Sequence, residues 1–315
     1  MAMPLDPKAQ HVLDITRDSG GMPFEQGTAS DARAAYDASY PTLQGEKEPV
    51  GSVEDIMISG KNGPISLRIY RGGGAQLANA PALLYLHGGG WVIGGLESHD
   101  EICRWFANLA ACVVVCPDYR LAPDYKFPAG LHDCMAALVY MVDNARALGI
   151  DPACIAVAGD SAGGNLAAVL ALMSRDGDLP PLSAQLLIYP VTDAAQTHDS
   201  YRRFGKGFGL TASTMKWFRD HYIRTEADIA DWRVSPLTVE HTHGVASAYI
   251  AIAGHDILAD EGIAYAERLK VNAIPVEFRY WPRHIHGFVS MGRYIPQARQ
   301  VIVEAVAAWK SFAKS

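Results

Sequence analysis

The chain has 315 residues, 49% of them hydrophobic and 19% charged, a globular composition that excludes a mainly disordered protein. With 27 basic against 34 acidic residues the formal charge is −7, which argues against nucleic-acid binding as the main task, since that wants clustered Lys and Arg. Length alone suggests about two domains, although α/β proteins of this size often form one enlarged domain.

The first stretch, 1–49, is polar and helix-leaning, and it has no basic start followed by an apolar core, so it does not read as a signal peptide. Val53–Ser59 and Ile65–Arg71 then read as antiparallel strands around the turn signal Lys61-Asn62-Gly63. From there the pattern alternates. Short apolar runs (Ala82–Leu86, Cys112–Cys116, Cys154–Ala158, Gln185–Tyr189, Ala248–Ala253, Val276–Tyr280) are bounded by Gly, Pro, Asp or His. Helix-patterned stretches separate most of them, notably Leu131–Leu148, Ala162–Ser174, Glu261–Val271 and Pro296–Ala313. Strands that are apolar throughout, joined by helices, predict an α/β fold with a mostly parallel sheet buried on both faces. The interval between Tyr189 and Ala248 breaks the rhythm and is rich in aromatic residues, among them Phe204, Phe208, Trp217, Phe218, Tyr222 and Trp232. An insertion of that length reads as a cap rather than a loop, because long structureless loops are uncommon.

The longest obvious uncharged run, between Asp160 and Arg175, is too short to span a bilayer and reads as a core helix. Cys103, Cys112, Cys116, Cys134 and Cys154 form no CxxC, cannot all pair, and read as reduced and structural, which suits a cytoplasmic protein.

The sharpest chemical signal is Gly159-Asp160-Ser161-Ala162-Gly163, a G-x-S-x-G between a predicted strand and a predicted helix. A serine on such a tight turn is held in a strained conformation with its hydroxyl exposed, and the small flanking residues make room for sheet and helix. The second signal is His87-Gly88-Gly89-Gly90 directly after a strand. Acyl transfer puts negative charge on a former carbonyl oxygen, and backbone N–H groups free of Cβ atoms can approach it. The expected donors are Gly89, Gly90 and Ala162, with Gly88 the nearest substitute. His87 reads as a residue that fixes the loop rather than as a base. No G-K-[ST] follows, so a phosphate loop is disfavoured.

A serine nucleophile needs a base, and the base needs an orienting acid. Asp256 follows the strand Ala248–Ala253 and is the preferred acid; Asp193 competes, while Asp260 and Glu261 look like the acidic first turn of the next helix. His286, in the loop after Val276–Tyr280 and followed by Gly287, is the preferred base, and the order Ser161, Asp256, His286 supports it. The pairs His284/His286 and His241/His243 lack a carboxylate or thiol at ligand spacing, so neither metal nor other cofactor is expected.

With these residues in hand, the chain resembles the bacterial hormone-sensitive-lipase-like esterases of the α/β-hydrolase fold. The shared motifs are His87–Gly90, Asp118–Pro123 with Phe127-Pro128-Ala129, Gly159–Gly163, Ser235-Pro236-Leu237, Asp256 with Asp260-Glu261-Gly262, and His286-Gly287-Phe288. The resemblance implies an eight-stranded, mostly parallel sheet whose first pairings are antiparallel. It also implies a helical cap made of 1–50 and 191–235, over a catalytic domain of 51–190 and 236–315. The implied activity is a serine carboxylesterase that hydrolyses small-molecule esters of short to medium acyl chains through an acyl-enzyme. Trp91, Asp160, Phe208, Leu210 and Ile257 are expected at the substrate, although the insertion's aromatics would also serve simply to fix the cap to the body. Two residues depart from the family: Ile257 stands where Pro is common, and Trp232 where a small residue or Pro is usual. The alternatives are a catalytically weak receptor on the same fold and a serine amidase or peptidase. A homodimer is left open.

Overall fold

A computed structural model describes residues 3–312; the first two residues and the expected helix end at Ala313 lie outside this range. The chain begins with two helices whose starts are written in the sequence. Helix α1 (Pro7–Asp18) opens with Pro at its first position and Asp6 accepting from the Lys8 N–H at 2.9 Å. Helix α2 (Ala29–Leu43) opens with a reciprocal capping box between Thr28 and Asp31.

The hairpin β1 (Ser52–Gly60) and β2 (Gly63–Arg71) follows, in register from Ser52 opposite Arg71 to Gly60 opposite Gly63. Next come β3 (Ala80–Leu86), α3 (Asp100–Ala110), β4 (Val113–Pro117), α4 (Ala129–Asp143), α5 (Ala145–Leu148), β5 (Ile150–Asp160), α6 (Ala162–Arg175) and β6 (Ala184–Ile188). Between β6 and the next strand lie α7 (Asp199–Phe204) and α8 (Ala212–Tyr222), the helices of the predicted insertion. The chain closes with β7 (Ala248–His255), α9 (Ala259–Val271), β8 (Val276–Ile285) and α10 (Gln297–Phe312).

The eight strands form one sheet in the order β1-β2-β4-β3-β5-β6-β7-β8, antiparallel across β1-β2-β4 and parallel from there on. Continuous apolar strands are explained by the two cores they separate. On β4, Val113 and Val115 enter one core while Val114 and Cys116 enter the other; on β7, Ile250 and Ile252 oppose Tyr249, Ala251 and Ala253. Helices α4, α6 and α9 cover the first face through Leu131, Leu166 and Leu269; α3 and α10 cover the second through Phe106 and Ile302.

Three local differences from the sequence reading have physical causes. The single helix expected over Leu131–Leu148 breaks at Asn144, whose Nδ2 donates to the Tyr140 carbonyl and competes with the helix ladder. Strand β8 runs past Tyr280 through Pro282 to Ile285; a proline is tolerated because β8 is the sheet edge. Helix α3 was not singled out, although Ile102, Trp105, Phe106 and Ala110 bury one face of it. Trp232 is half-buried against the core. No helix among the described residues is long and apolar enough to cross a membrane.

Candidate active site

Strand β5 ends at Asp160 and α6 begins at Ala162, leaving Ser161 alone on the turn at φ 55°, ψ −118°. A left-handed φ is strained for a residue with a Cβ, so the surroundings must impose it. They do so by hydrogen bonds: the Ser161 N–H donates to Ile188 and its carbonyl accepts from Asn165 and Val191. The flanking glycines are there for clearance, since a Cβ on Gly163 would stand 1.9 Å from the Leu86 carbonyl oxygen and one on Gly159 2.4 Å from Gly163.

Ser161 Oγ lies 2.9 Å from His286 Nε2, and His286 Nδ1 lies 2.7 Å from Asp256 Oδ2. The three predicted residues therefore meet although they come from the ends of β5, β7 and β8. Asp256 is 1% exposed, and its other oxygen accepts from the Leu258 N–H at 2.9 Å. That pairing makes His286 Nδ1 the donor and leaves Nε2 to accept from the serine. Gly287 turns the chain just beyond at φ 77°, and the Tyr189 ring packs 4.7 Å from the imidazole.

The competing acids are occupied elsewhere. Asp193 faces His198 at 3.1 Å, and Asp260 binds Arg203 and the Ser200 N–H. Glu261 is fully buried, accepts from the Thr192 and Asp193 N–H groups, and is pushed well above the usual carboxyl range by burial. Of the histidine pairs, His284 stacks on Phe288, whereas His241 and His243 are exposed.

In the glycine loop, peptide geometry fixes the direction of two N–H groups. The Gly88 carbonyl is held by His87 Nδ1 at 2.8 Å, so the Gly89 N–H, on the opposite side of the same trans peptide, points the other way. The Gly89 carbonyl accepts from Val92 and Ile93, which turns the Gly90 N–H likewise. Gly89 (φ 119°) and Gly90 (φ 58°) adopt left-handed conformations that the loop requires. The N–H groups of Gly89, Gly90 and Ala162 have no intramolecular acceptor among the described residues. His87 is buried, stacked 4.1 Å from Tyr119, and burial lowers its pKa to about 3, so it is a neutral fixture of the loop.

Four expectations need correction. Gly88 is not a spare donor, because its N–H is already directed at Asp160 Oδ1 (3.0 Å) and His99 Nε2 (3.2 Å). Asp160 is not turned to a substrate: it is 5% exposed, and its carboxylate sits behind the glycine loop. Ile257 is completely buried in the core, which withdraws it from any ligand. Trp91 is 2% exposed and stacks face to face on Tyr222 of α8 at 4.2 Å. Phe208 and Leu210 are half-buried, with Phe208 against His255 and Phe204. Helix α8 also lays Phe218 directly on the loop, where a Cβ at Gly90 would meet the ring at 2.3 Å.

Helix α8 is fastened to the N-terminal segment. Ser213 and Thr214 donate to Glu25 at 2.7 and 2.8 Å, and Phe24 packs on Phe218. Arg33 of α2 donates to the carbonyls of Val92 and Ala122. The residue that sequence reasoning missed is His99, which no motif marks, yet it is 1% exposed and touches both Asp160 and Gly88.

A family model described as the alpha/beta hydrolase fold matches residues 83–290. The chain is 38% identical over 302 residues to the ethyl acetate hydrolase of Pseudomonas putida, covering 94% of this chain and 95% of that one. It is 34% identical to an arylesterase of Saccharolobus solfataricus, covering 99% of this chain and 100% of that one. An ester-hydrolase from the metagenome of Lake Arreo, solved in complex with a bipyridine phosphonate derivative, superimposes with a TM-score of 0.94 at 37% identity, over 99% of this chain and 100% of that one. The motifs, the sheet and these relatives agree: the chain belongs to the alpha/beta hydrolase fold family, on its hormone-sensitive-lipase-like side.

Proposed function

We propose that the protein is a serine carboxylesterase in which Ser161 is the nucleophile, His286 the base and Asp256 its orienting acid. The observation that carries this reading is the unbroken line of hydrogen bonds from Asp256 through His286 to Ser161. The relatives that share the fold are named for ester hydrolysis.

In the first half-reaction Ser161 Oγ attacks the ester carbonyl as its proton passes to His286 Nε2, and the imidazolium that forms is stabilised by Asp256. Negative charge develops on the carbonyl oxygen, within reach of the Gly89, Gly90 and Ala162 N–H groups. The intermediate collapses, the C–O bond to the alcohol breaks, and Nε2 returns the proton to the leaving oxygen. Water then loses a proton to Nε2 as its oxygen attacks the acyl-enzyme; the C–Oγ bond breaks, Nε2 returns the proton to Ser161 Oγ, and the acid leaves.

The N-terminal helices with α7 and α8 act as the cap in this reading, which the Glu25 contacts and the ring of Phe218 on Gly90 support. A cap pressed onto the glycine loop favours short to medium acyl chains, with half-buried Phe208 and Leu210 as the apolar wall.

The test is Ser161→Ala together with an acyl-length series of chromogenic esters. The variant should keep its melting temperature and lose nearly all turnover, and a phosphonate should label Ser161 in the parent alone. Undiminished turnover by the variant overturns the nucleophile assignment, and best turnover on long chains overturns the substrate class. A matched anilide hydrolysed as fast as the ester would favour an amidase.

A further inference from the structure

The proposed chemistry uses Ser161, the neighbour of Asp160, and the Gly89 N–H, the neighbour of Gly88, but neither Asp160 nor Gly88 itself. Two donors converge on one oxygen of the Asp160 carboxylate, Tyr85 Oη at 2.7 Å and the Gly88 N–H at 3.0 Å, and His99 Nε2, itself 3.2 Å from the Gly88 nitrogen, stands 3.3 Å from the same oxygen. They come from β3, the glycine loop and the turn before α3. All of it is out of solvent, with Tyr85 0%, His99 1% and Asp160 5% exposed.

We infer that Asp160 and His99 are a positioning pair that ties the oxyanion loop to the turn carrying Ser161. The inference rests on the esterase reading, since it concerns how the proposed donors keep their aim. Gly88 has no Cβ and a wide choice of backbone angles, so sterics alone do not hold the Gly88-Gly89-Gly90 run. Its carbonyl is pinned by His87, which leaves its N–H as the second point needed to fix the residue. Asp160 supplies that point and is the immediate neighbour of Ser161. One side chain therefore sets the separation between nucleophile and donors. The approach is tight, because a Cβ on Gly88 would stand 2.3 Å from Asp160 Oδ2.

A buried carboxylate is costly unless it is paired and hydrogen-bonded. Burial raises the Asp160 pKa, but His99 and the Tyr85 hydroxyl more than offset this and hold it below the usual carboxylate range. His99 is held in turn: Ser98 Oγ lies 2.9 Å from its Nδ1, and Ser98 exchanges hydrogen bonds with the Gly95 backbone. The Ser98 carbonyl accepts from Gln44 Nε2, which joins the pair to the segment after α2.

Asp160→Ala removes the acceptor shared by Tyr85 Oη and the Gly88 N–H, whereas Asp160→Asn keeps an oxygen for both. With the oxyanion loop loosened, D160A should lower kcat about 100-fold with KM changed less than about threefold, the scale of losing one oxyanion donor. Affinity for a trifluoromethyl ketone, whose adduct places an oxyanion on the same donors, should fall in parallel. D160N should recover kcat to within about tenfold of the parent. A folded D160A with parental kcat, or one whose whole loss lies in KM, overturns the inference. Should D160A fail to fold, Tyr85→Phe deletes one donor and leaves the ring in place; it should lower kcat about threefold to tenfold at constant KM, and an unchanged kcat overturns the inference. Failure of the esterase reading is distinguishable, because it would leave S161A active whatever D160A does.

Discussion

Asp256→Asn tests what the carboxylate does to the imidazole with almost no change of shape. In the native site one oxygen accepts from the Leu258 N–H at 2.9 Å and the other faces His286 Nδ1 at 2.7 Å. An asparagine must keep its carbonyl oxygen on Leu258, because an NH2 group cannot accept from an N–H. Its NH2 then faces Nδ1, which can only accept, so the imidazole proton moves to Nε2. That nitrogen, 2.9 Å from Ser161 Oγ, becomes a donor and can no longer take the serine proton. The wrong tautomer in comparable triads costs about 10⁴ in turnover, which is about 5.5 kcal/mol of barrier at about 1.36 kcal/mol per decade. Steady-state kinetics on a chromogenic ester should show that loss in kcat at little change in KM. The melting temperature should stay within a few degrees, since both the volume and the Leu258 bond survive. A folded D256N within tenfold of the parent would refute the reasoning and return the acid to Asp193 or to no residue at all.

Gly90→Ala should lower kcat about 100-fold. The residue sits at φ 58° and its new Cβ would meet the Phe218 ring at 2.3 Å, so the donor beside it must shift. Phe218→Ala added to G90A should recover part of the loss in the same ester assay, and no recovery would show that the clash is not the cause. Glu101→Gln addresses stability. Glu101 is 2% exposed, its Oε1 accepts from the Gly45 N–H at 2.9 Å, and burial raises its pKa from 4.5 to about 7. A carboxyl with a raised folded pKa gives stability that is complete below its unfolded value and lost as pH rises through the folded one. E101Q should therefore match the parent near pH 4.5 in denaturant melts and exceed it above pH 7, by up to about 3 kcal/mol. A constant difference across that range would count against Glu101 as the titrating group.

The sheet and the meeting of Ser161, Asp256 and His286 are legible in the sequence because their signals are local. The inner strands of the parallel part are apolar runs closed by a breaker, the edge strand β8 alternates apolar with charged residues, and Ser161, Asp256 and His286 each stand directly after a strand end. Position relative to a strand end is readable in a linear chain, and in this fold strand ends converge on one edge of the sheet. Asp160 shows where that reading stops. Asp160 is expected at the substrate, but a strand's side chains alternate between faces, so it and its neighbour Ser161 face opposite ways. Its carboxylate accordingly meets Tyr85 and His99, residues distant in sequence. Ile257 was misjudged for the same reason, since flanking Asp256 says nothing about which way the side chain goes.

Orientation was the harder part of the oxyanion loop. Four residues of the His87–Gly90 run announce where amide groups are wanted, yet which amides are free depends on which carbonyls are engaged. Val92 and Ile93 decide it for Gly90 and His87 for Gly89, because an N–H and the preceding C=O are fixed back to back by the planar trans peptide. The cap enters by the same logic of spacing. Phe218 and Tyr222 lie four residues apart on one face of α8 and meet the neighbouring residues Gly90 and Trp91. A single helix face thus bears on the loop from outside while Asp160 holds it from behind. Displacing α8 would free the loop on one side only, so under the positioning proposal the buried carboxylate would still hold the aim of the Gly89 and Gly90 N–H groups.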